Sequence, residues 1–291
     1  MKLKPRYRLF YFVILVTLAS CTKRVEMDLQ AAGASKLVVW GEITNEAEQH
    51  EIRLGKSAPY FANKPVEPVP GAVVTVADGD QKVTLKEDSI RTGVYLTPPD
   101  YSGKVGHQYH LAISHVDINE DGKMESYHAE TVMKPSAPIK WTKVVYNPLW
   151  RGWEVMVSSE SIVKDRHYYL FKVYKNGVLY TDSLSKYWTT DERFLNANEI
   201  NGTTVQFFTK DKGEFVYKGD TITIEMDGIT REYNDFINGI LDEISEKVPM
   251  FSGPSANVKG NISNGALGFF AVMDVERSSV VYNGEGEKQP K

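Results

Sequence analysis

The stretch DINEDGKME, Asp117 to Glu125, lies between two segments that read as β-strands and carries oxygen ligands at regular spacing. A calcium loop takes side-chain ligands at its first, third and fifth positions and turns sharply on a glycine at the sixth. Asp117, Asn119, Asp121 and Gly122 occupy those positions, and Glu125 falls on the ninth, often water-bridged one. The twelfth position, where a bidentate glutamate belongs, is His128, and the flanks HLAISHV and SYHAETV are strand-like rather than helical. Two readings follow: a solvated acidic hairpin turning at Asp121-Gly122, or an extracellular-type calcium site of roughly millimolar affinity. The sequence calls for no other cofactor. His107, His110, His115 and His128 surround the same hairpin. A transition-metal site there requires a strand register that brings His110 and His128 face to face.

The second chemical feature is Cys21, the one cysteine of the chain. It follows a basic opening, MKLKPRYR, and an apolar run, Leu9 to Ser20, that is too short to span a bilayer stably. Leu18-Ala19-Ser20-Cys21 matches the bacterial lipobox, in which a branched apolar residue and two small ones precede a thiol that accepts diacylglycerol. Two or three acyl chains, at about 0.8 kcal/mol per buried CH₂, give lasting membrane attachment. With its thiol acylated, the mature chain has no disulfide, so core burial must hold the fold together.

Removing residues 1–20 removes four basic residues and no acidic one, taking the formal charge from −4 to −8. An acidic chain without a basic stripe is poorly suited to nucleic acid or anionic lipid. The sequence has no Gly-x-Ser-x-Gly elbow, His-Glu-x-x-His, Walker loop or Rossmann glycine pattern. The second half is rich in aromatic residues, among them Tyr146, Trp150, Trp153, Tyr168, Tyr169, Tyr174, Tyr180, Tyr187 and Trp188. Such side chains fill β-cores as a rule, and when exposed they stack on sugars or anchor a peptide.

The elements that must position these residues read as mainly β. We expect a signal peptide over 1–20, a lipidated tether over 21–35, and an Ig-like or transthyretin-like β-sandwich over 36–135. A second antiparallel β domain then covers 136–284, and residues 285–291 form a tail. In the first unit LVVWGEIT, HEIRLGKS, the Val73–Val76 run, Gly93-Val94-Tyr95 and the Tyr109/Leu111/Ile113 alternation are strands broken by Gly, Pro and Asp turns. KPSAPIKW marks the junction. In the second unit Asn176-Gly177 separates two strand patterns, a type I′ hairpin signal. Tyr233, Phe236, Ile237, Ile240, Leu241, Ile244 and Val248 share one helical face, which predicts a helix over 231–248 with Thr230 as its N-cap.

PVPGAVVTV, GVYL and GHQYHLAI resemble the carboxypeptidase-regulatory, transthyretin-like sandwich. The C-terminal segment with Asn261, Ile262, Gly265, Leu267, Gly268 and Phe270 resembles the end of the Bacteroidota lipoprotein family numbered 4249 among domains of unknown function. LVVWGEITN, PVPGAVVTV and GDTITIEM also fit that family, over about residues 21–282. The resemblance brings no catalytic residues. Because its members are commonly encoded beside TonB-dependent outer-membrane receptors, it implies a lipid-anchored, non-enzymatic accessory of such a receptor. That accessory would bind a ligand or the transporter itself, at the periplasmic or the cell-surface face of the outer membrane. Two alternatives stand beside it: a lipid-anchored hydrolase with a divergent site near Trp141 and Trp153, and an adhesin or structural envelope protein.

Overall fold

The computed structural model describes residues 35–58, 66–79, 81–160, 166–193, 202–245 and 258–286, all within one compact unit. The signal peptide, Cys21, the tether up to residue 34 and Val248 lie outside the described residues. In chain order the strands are β1 (Leu37–Thr44), β2 (Glu51–Lys56), β3 (Glu67–Pro68), β4 (Val73–Asp78), β5 (Gln81–Thr84), β6 (Lys86–Glu87), β7 (Val94–Leu96), β8 (Gln108–Val116) and β9 (Glu125–Val132). They continue with β10 (Ile139–Asn147), β11 (Gly152–Ser159), β12 (Tyr168–Lys175), β13 (Val178–Leu179), β14 (Trp188–Asp191), β15 (Thr203–Thr209) and β16 (Thr221–Ile229). Helix α1 (Arg231–Ile244) and strand β17 (Leu267–Val281) complete the order. The chain is mainly β, as its alternating apolar pattern requires.

One ten-stranded sheet organises the rest, with the path β13-β12-β16-β17-β1-β2-β7-β6 and with β14 and β3 added at β12 and β2. A four-stranded sheet, β5-β4-β8-β9, and a three-stranded sheet, β10-β11-β15, complete the β structure. Leu37, Val39, Ile43, Phe270 and Val272 of the large sheet share one core with Val74, Val76, Tyr109, Leu111 and Ile113 of the four-stranded sheet. Phe171, Val173, Ile222, Ile224 and Met226 share a second core with Val144, Trp153, Val155 and Phe208 of the three-stranded sheet.

The expected boundary at 135/136 falls at the junction, but the last strand does not respect it. Leu267–Met273 of β17 pairs in parallel with β1, while Asp274–Val281 pairs antiparallel with β16. One uninterrupted strand therefore serves both cores, and among the described residues β1–β17 is the one parallel pair of named strands, with a parallel bridge from Lys134 to Met273 beside it. The junction crosses that strand closely. Ser136 donates its backbone N–H to Asp274 Oδ2 at 2.8 Å and its hydroxyl to Met226 O at 2.8 Å. A Cβ at Gly228 would lie 2.5 Å from Pro135 O, so only glycine lets the junction pass.

The opposite face of the large sheet carries α1. Thr230 caps it, its hydroxyl accepting from Tyr233 N at 3.2 Å. Tyr233, Phe236 and Ile237 are buried against Leu170, Ile229, Phe269, Ala271 and Met273. The helix thus covers a sheet. Ile240 and Leu241 pack at its edge, while Ile244, placed on the apolar face by spacing, is exposed because the helix stops there at Ser245. At Asn176-Gly177 both residues have positive φ, 50° and 78°, as the type I′ turn demands.

Candidate functional site

The acidic hairpin closes on itself. Asp117 accepts from Asp121 N at 3.1 Å and from Gly122 N at 2.9 Å, and Asp121 accepts from Lys123 N at 2.8 Å. Asn119 lies within the same turn, 3.3 Å from Asp121 Oδ2, whereas Glu125 accepts from the Tyr127 hydroxyl at 2.6 Å. Asp117, Asn119 and Asp121 are therefore brought together, with Glu125 engaged elsewhere. Among the described residues no group of three or more His, Cys, Asp or Glu side chains is arranged to hold a metal ion.

The register separates the histidines. Glu130, not His128, stands opposite His110, and Ala112 stands opposite His128. His110 Nδ1 lies 3.2 Å from Glu130, His128 Nδ1 3.0 Å from the Ser263 hydroxyl, and His107 Nδ1 2.5 Å from Asp78. Trp153, Tyr168 and Tyr169 are buried, and Tyr146, Tyr180 and Trp188 pack against the second core. Trp150 is the exposed member of the aromatic set.

The C-terminal segment proves to be scaffold. The Asn261 side chain makes a two-bond clasp with Phe270, accepting from its N at 2.9 Å and donating to its O at 2.8 Å. Gly268 has φ +96°, and a Cβ there would stand 1.9 Å from Val39 O. The motif lets β17 lie flat against β1.

Sequence reasoning missed a polar cluster on the helix-bearing face of the large sheet. Lys172 of β12, 8% exposed, points among three carboxylates. Its ammonium lies 2.9 Å from Asp227, 3.1 Å from Glu225 and 3.9 Å from Glu42. Arg277 of β17 donates to Glu225 Oε2 at 2.8 Å and pairs with Glu46. Tyr174 donates to Glu225 at 2.8 Å, and Tyr233 of α1 donates to Glu42 at 2.7 Å. Adjacent strands create this set directly: Lys172 pairs in register with Glu225, and Glu225 with Arg277.

Three carboxylates face two cations, so the fully ionised core of the cluster carries one net negative charge. Asp227 is fully buried and neither of its oxygens receives a well-directed hydrogen bond, the Lys172 contact being an ion pair. Burial pushes its carboxyl up to about 7, reinforced by Glu225 and opposed by Lys172. Burial also acts to raise Glu225, but Lys172, Tyr174 and Arg277 prevail and hold it below the usual carboxylate range. Lys172 stays charged because its carboxylates outweigh its burial. A cleft of about 390 Å³ opens above, lined by Trp40, Glu42, His50, Tyr174, Tyr187 and Arg277 among others. Asp227 does not reach it. The cluster fixes β1, β12, β16, β17 and α1 to one another; Glu225 and Lys172 reach the cleft, while Asp227, its one acid shifted upward, is fully buried beneath it.

The family model for the domain of unknown function DUF4249 matches residues 22–279. The chain belongs to the DUF4249 family. Solved structures similar to this DUF4249 protein include the FN1–FN3 domains of chicken CNTN1, at 15% identity and a TM-score of 0.25, covering 67% of this chain and 60% of that one. Another is the alpha-L-rhamnosidase from Dictyoglumus thermophilum, at 11% identity and a TM-score of 0.23, covering 69% of this chain and 28% of that one. No curated protein matches the chain.

Proposed function

We propose that this DUF4249 protein is an outer-membrane lipoprotein, anchored through Cys21, that serves as a non-enzymatic accessory of a TonB-dependent receptor. The observation that carries this reading is the placement of its exposed apolar side chains. Of twelve large hydrophobic residues exposed among the described residues, six lie at one end of the second core: Leu149, Trp150, Val178, Phe215, Tyr217 and Val281. Backbone bonds join the loops that bear them, Lys210 N to Arg151 O, Asn176 N to Thr221 O, and Gly219 N to Tyr282 O. Phe215 and Tyr217 stack at 6.0 Å, with the Lys175 ammonium 5.5 Å over the Tyr217 ring.

This end lies far from the point where the tether enters. The tether leads into β1, whose start pairs with Leu267, and Val281 lies at the other end of the same fifteen-residue strand. At 3.2–3.4 Å per residue that strand spans about 45 Å. An anchor at one end and an aromatic surface at the other suit a protein that stands on a membrane and meets a large partner, since buried aromatics dominate such contacts. The hydrolase alternative gains no support near Trp141 and Trp153: Trp153 is core, and Trp141 lies over Gly202.

The test is affinity purification of the lipidated protein from detergent-solubilised membranes. Co-elution of a β-barrel receptor, lost in the Trp150→Ala/Tyr217→Ala variant, is expected. Recovery of the protein alone at every salt concentration would overturn the reading. Cys21→Ala should move the chain from the detergent phase to the aqueous phase on Triton X-114 partitioning.

A further inference from the structure

A second cleft, about 290 Å³, opens at the start of α1 and is lined by Lys134, Arg166, His167, Tyr168, Ile229, Arg231 and Glu232. Its lining sets three cations and an imidazole against one carboxylate, and Asp191 and Asp235 pair with two of those cations from outside the lining. We infer that this cleft binds an oxyanion group of the phosphate class, held by Lys134, Arg166, His167 and the first turn of α1.

Three features converge on that assignment, the first and third both arising from the start of α1. First, the N-terminus of a helix is its positive end, where acidic groups are stabilised and cations are not. Lys134, Arg166 and Arg231 meet there nonetheless. Arg166 also pairs with Asp191 at 2.8 Å, and Arg231 with Asp235 at 3.6 Å, while Lys134 has no ion-pair partner among the described residues. An anion in the cleft satisfies both the helix end and the cations.

Second, His167 is only 8% exposed, yet its ring nitrogens make no hydrogen bond among the described residues. Those nitrogens are not among the fully buried unpaired polar atoms, so they open onto the cleft, where an entering ligand can bond them. Third, the backbone N–H groups of Arg231 and Glu232 have no acceptor among the described residues, whereas those of Tyr233 and Asn234 are taken by Thr230. Two free donors therefore point from the first turn of a fourteen-residue helix.

The site is also held rigidly. The Arg166 guanidinium lies 5.6 Å over the Tyr168 ring, and the backbone at Lys134 is pinned between Gly228 and Met273. The volume equals roughly nine or ten water volumes of about 30 Å³ each, room for a phosphate and part of the group that carries it. Phosphate on a free metabolite and phosphate in a lipid headgroup share this chemistry.

The experiment is calorimetric titration of the purified lipidated protein in detergent micelles with inorganic phosphate, and separately with glycerol 3-phosphate, at low ionic strength. Saturable binding is expected, accompanied by a shift of the His167 imidazole resonances. Lys134→Ala and Arg231→Ala should each weaken it at least fivefold with unchanged melting temperature, and Lys212→Ala should not change it. Glycerol 3-phosphate binding at least tenfold tighter than phosphate identifies the headgroup as the source, and equal affinities identify a soluble phosphate. No saturable heat and no His167 shift by 20 mM overturns the assignment. So does a response that chloride reproduces, or one that both site variants retain.

Discussion

Replacing Lys172 by methionine keeps most of the buried aliphatic stem and removes the charge that three carboxylates share. Glu225 retains Arg277 and Tyr174, and Glu42 retains Tyr233, so the residue left without a partner is Asp227. Removing one partner of a buried ion pair typically costs about 3–5 kcal/mol. Here the cost depends on pH. The Asp227 carboxyl, ordinarily near 3.8, titrates at about 7 in the folded chain, so folding favours its protonated form. The stability this contributes is complete below pH 4 and is lost as pH rises through 7. Without Lys172 that folded value rises further, and the variant pays more to ionise Asp227, or keeps it neutral, above pH 7. We therefore expect Lys172→Met to lose about 3–5 kcal/mol at pH 8. At pH 5, where Asp227 is already neutral, the loss should be about 1–3 kcal/mol, set by the bonds to Glu225 and Glu42. Urea unfolding followed by tryptophan fluorescence at both pH values measures the difference. Adding Asp227→Asn should recover much of the loss at pH 8. Equal losses at the two pH values, or a loss below 1 kcal/mol at pH 8, would refute the view that Lys172 compensates a reluctant Asp227.

Three further outcomes are expected. Gly268→Ala forces a side chain into the β1 backbone at a positive φ, and should abolish soluble, protease-resistant protein in limited proteolysis. Thr230→Ala removes the cap of α1 and should cost about 1 kcal/mol in the same urea assay, with the fold unchanged by circular dichroism. Calcium titration of the protein by calorimetry should stay flat to several millimolar, because the Asp117 and Asp121 carboxylates already accept backbone N–H groups; a saturable heat lost in Asp121→Ala would instead establish the calcium site.

Local pattern made much of this fold legible. Alternation in LVVWGEIT and QYHLAISHV placed whole strands, Asn176-Gly177 placed a turn, and the three-four spacing from Tyr233 placed α1 and its cap. Pairing was not legible, and the polar cluster depends on pairing. Its traces are present in the sequence: Lys172 interrupts the apolar run YYLFKVYK, and Glu225 and Asp227 alternate with Ile222, Ile224 and Met226. Period-two patterning assigns those acids to one face and leaves open whether that face meets water or Lys172. That choice is made by the order β12-β16-β17, between strands far apart in the chain. The same limit explains the histidines, whose grouping in sequence dissolves once Glu130 takes the place opposite His110.

The large sheet also explains why the cluster is built where it is. Along β17 the residues change role at Asp274: before it the strand is the parallel partner of β1, after it the antiparallel partner of β16. Such a shared strand transmits position only if both halves keep their register against their neighbours. Asn45 fixes one side, donating to Asp274 Oδ1 at 2.6 Å and accepting from Val275 N at 3.0 Å, and Ser136 binds the other Asp274 oxygen from the junction. On the opposite face the Lys172 cluster links Glu42 of β1 with Glu225 and Asp227 of β16, across β17. A one-residue slip of β17 would send Arg277 and Asp274 to the wrong faces and leave buried charges unpaired on both. Directional polar contacts penalise that slip where apolar packing alone would tolerate it. The register they enforce sets the separation between the strand the tether enters and the aromatic end that we assign to partner contact.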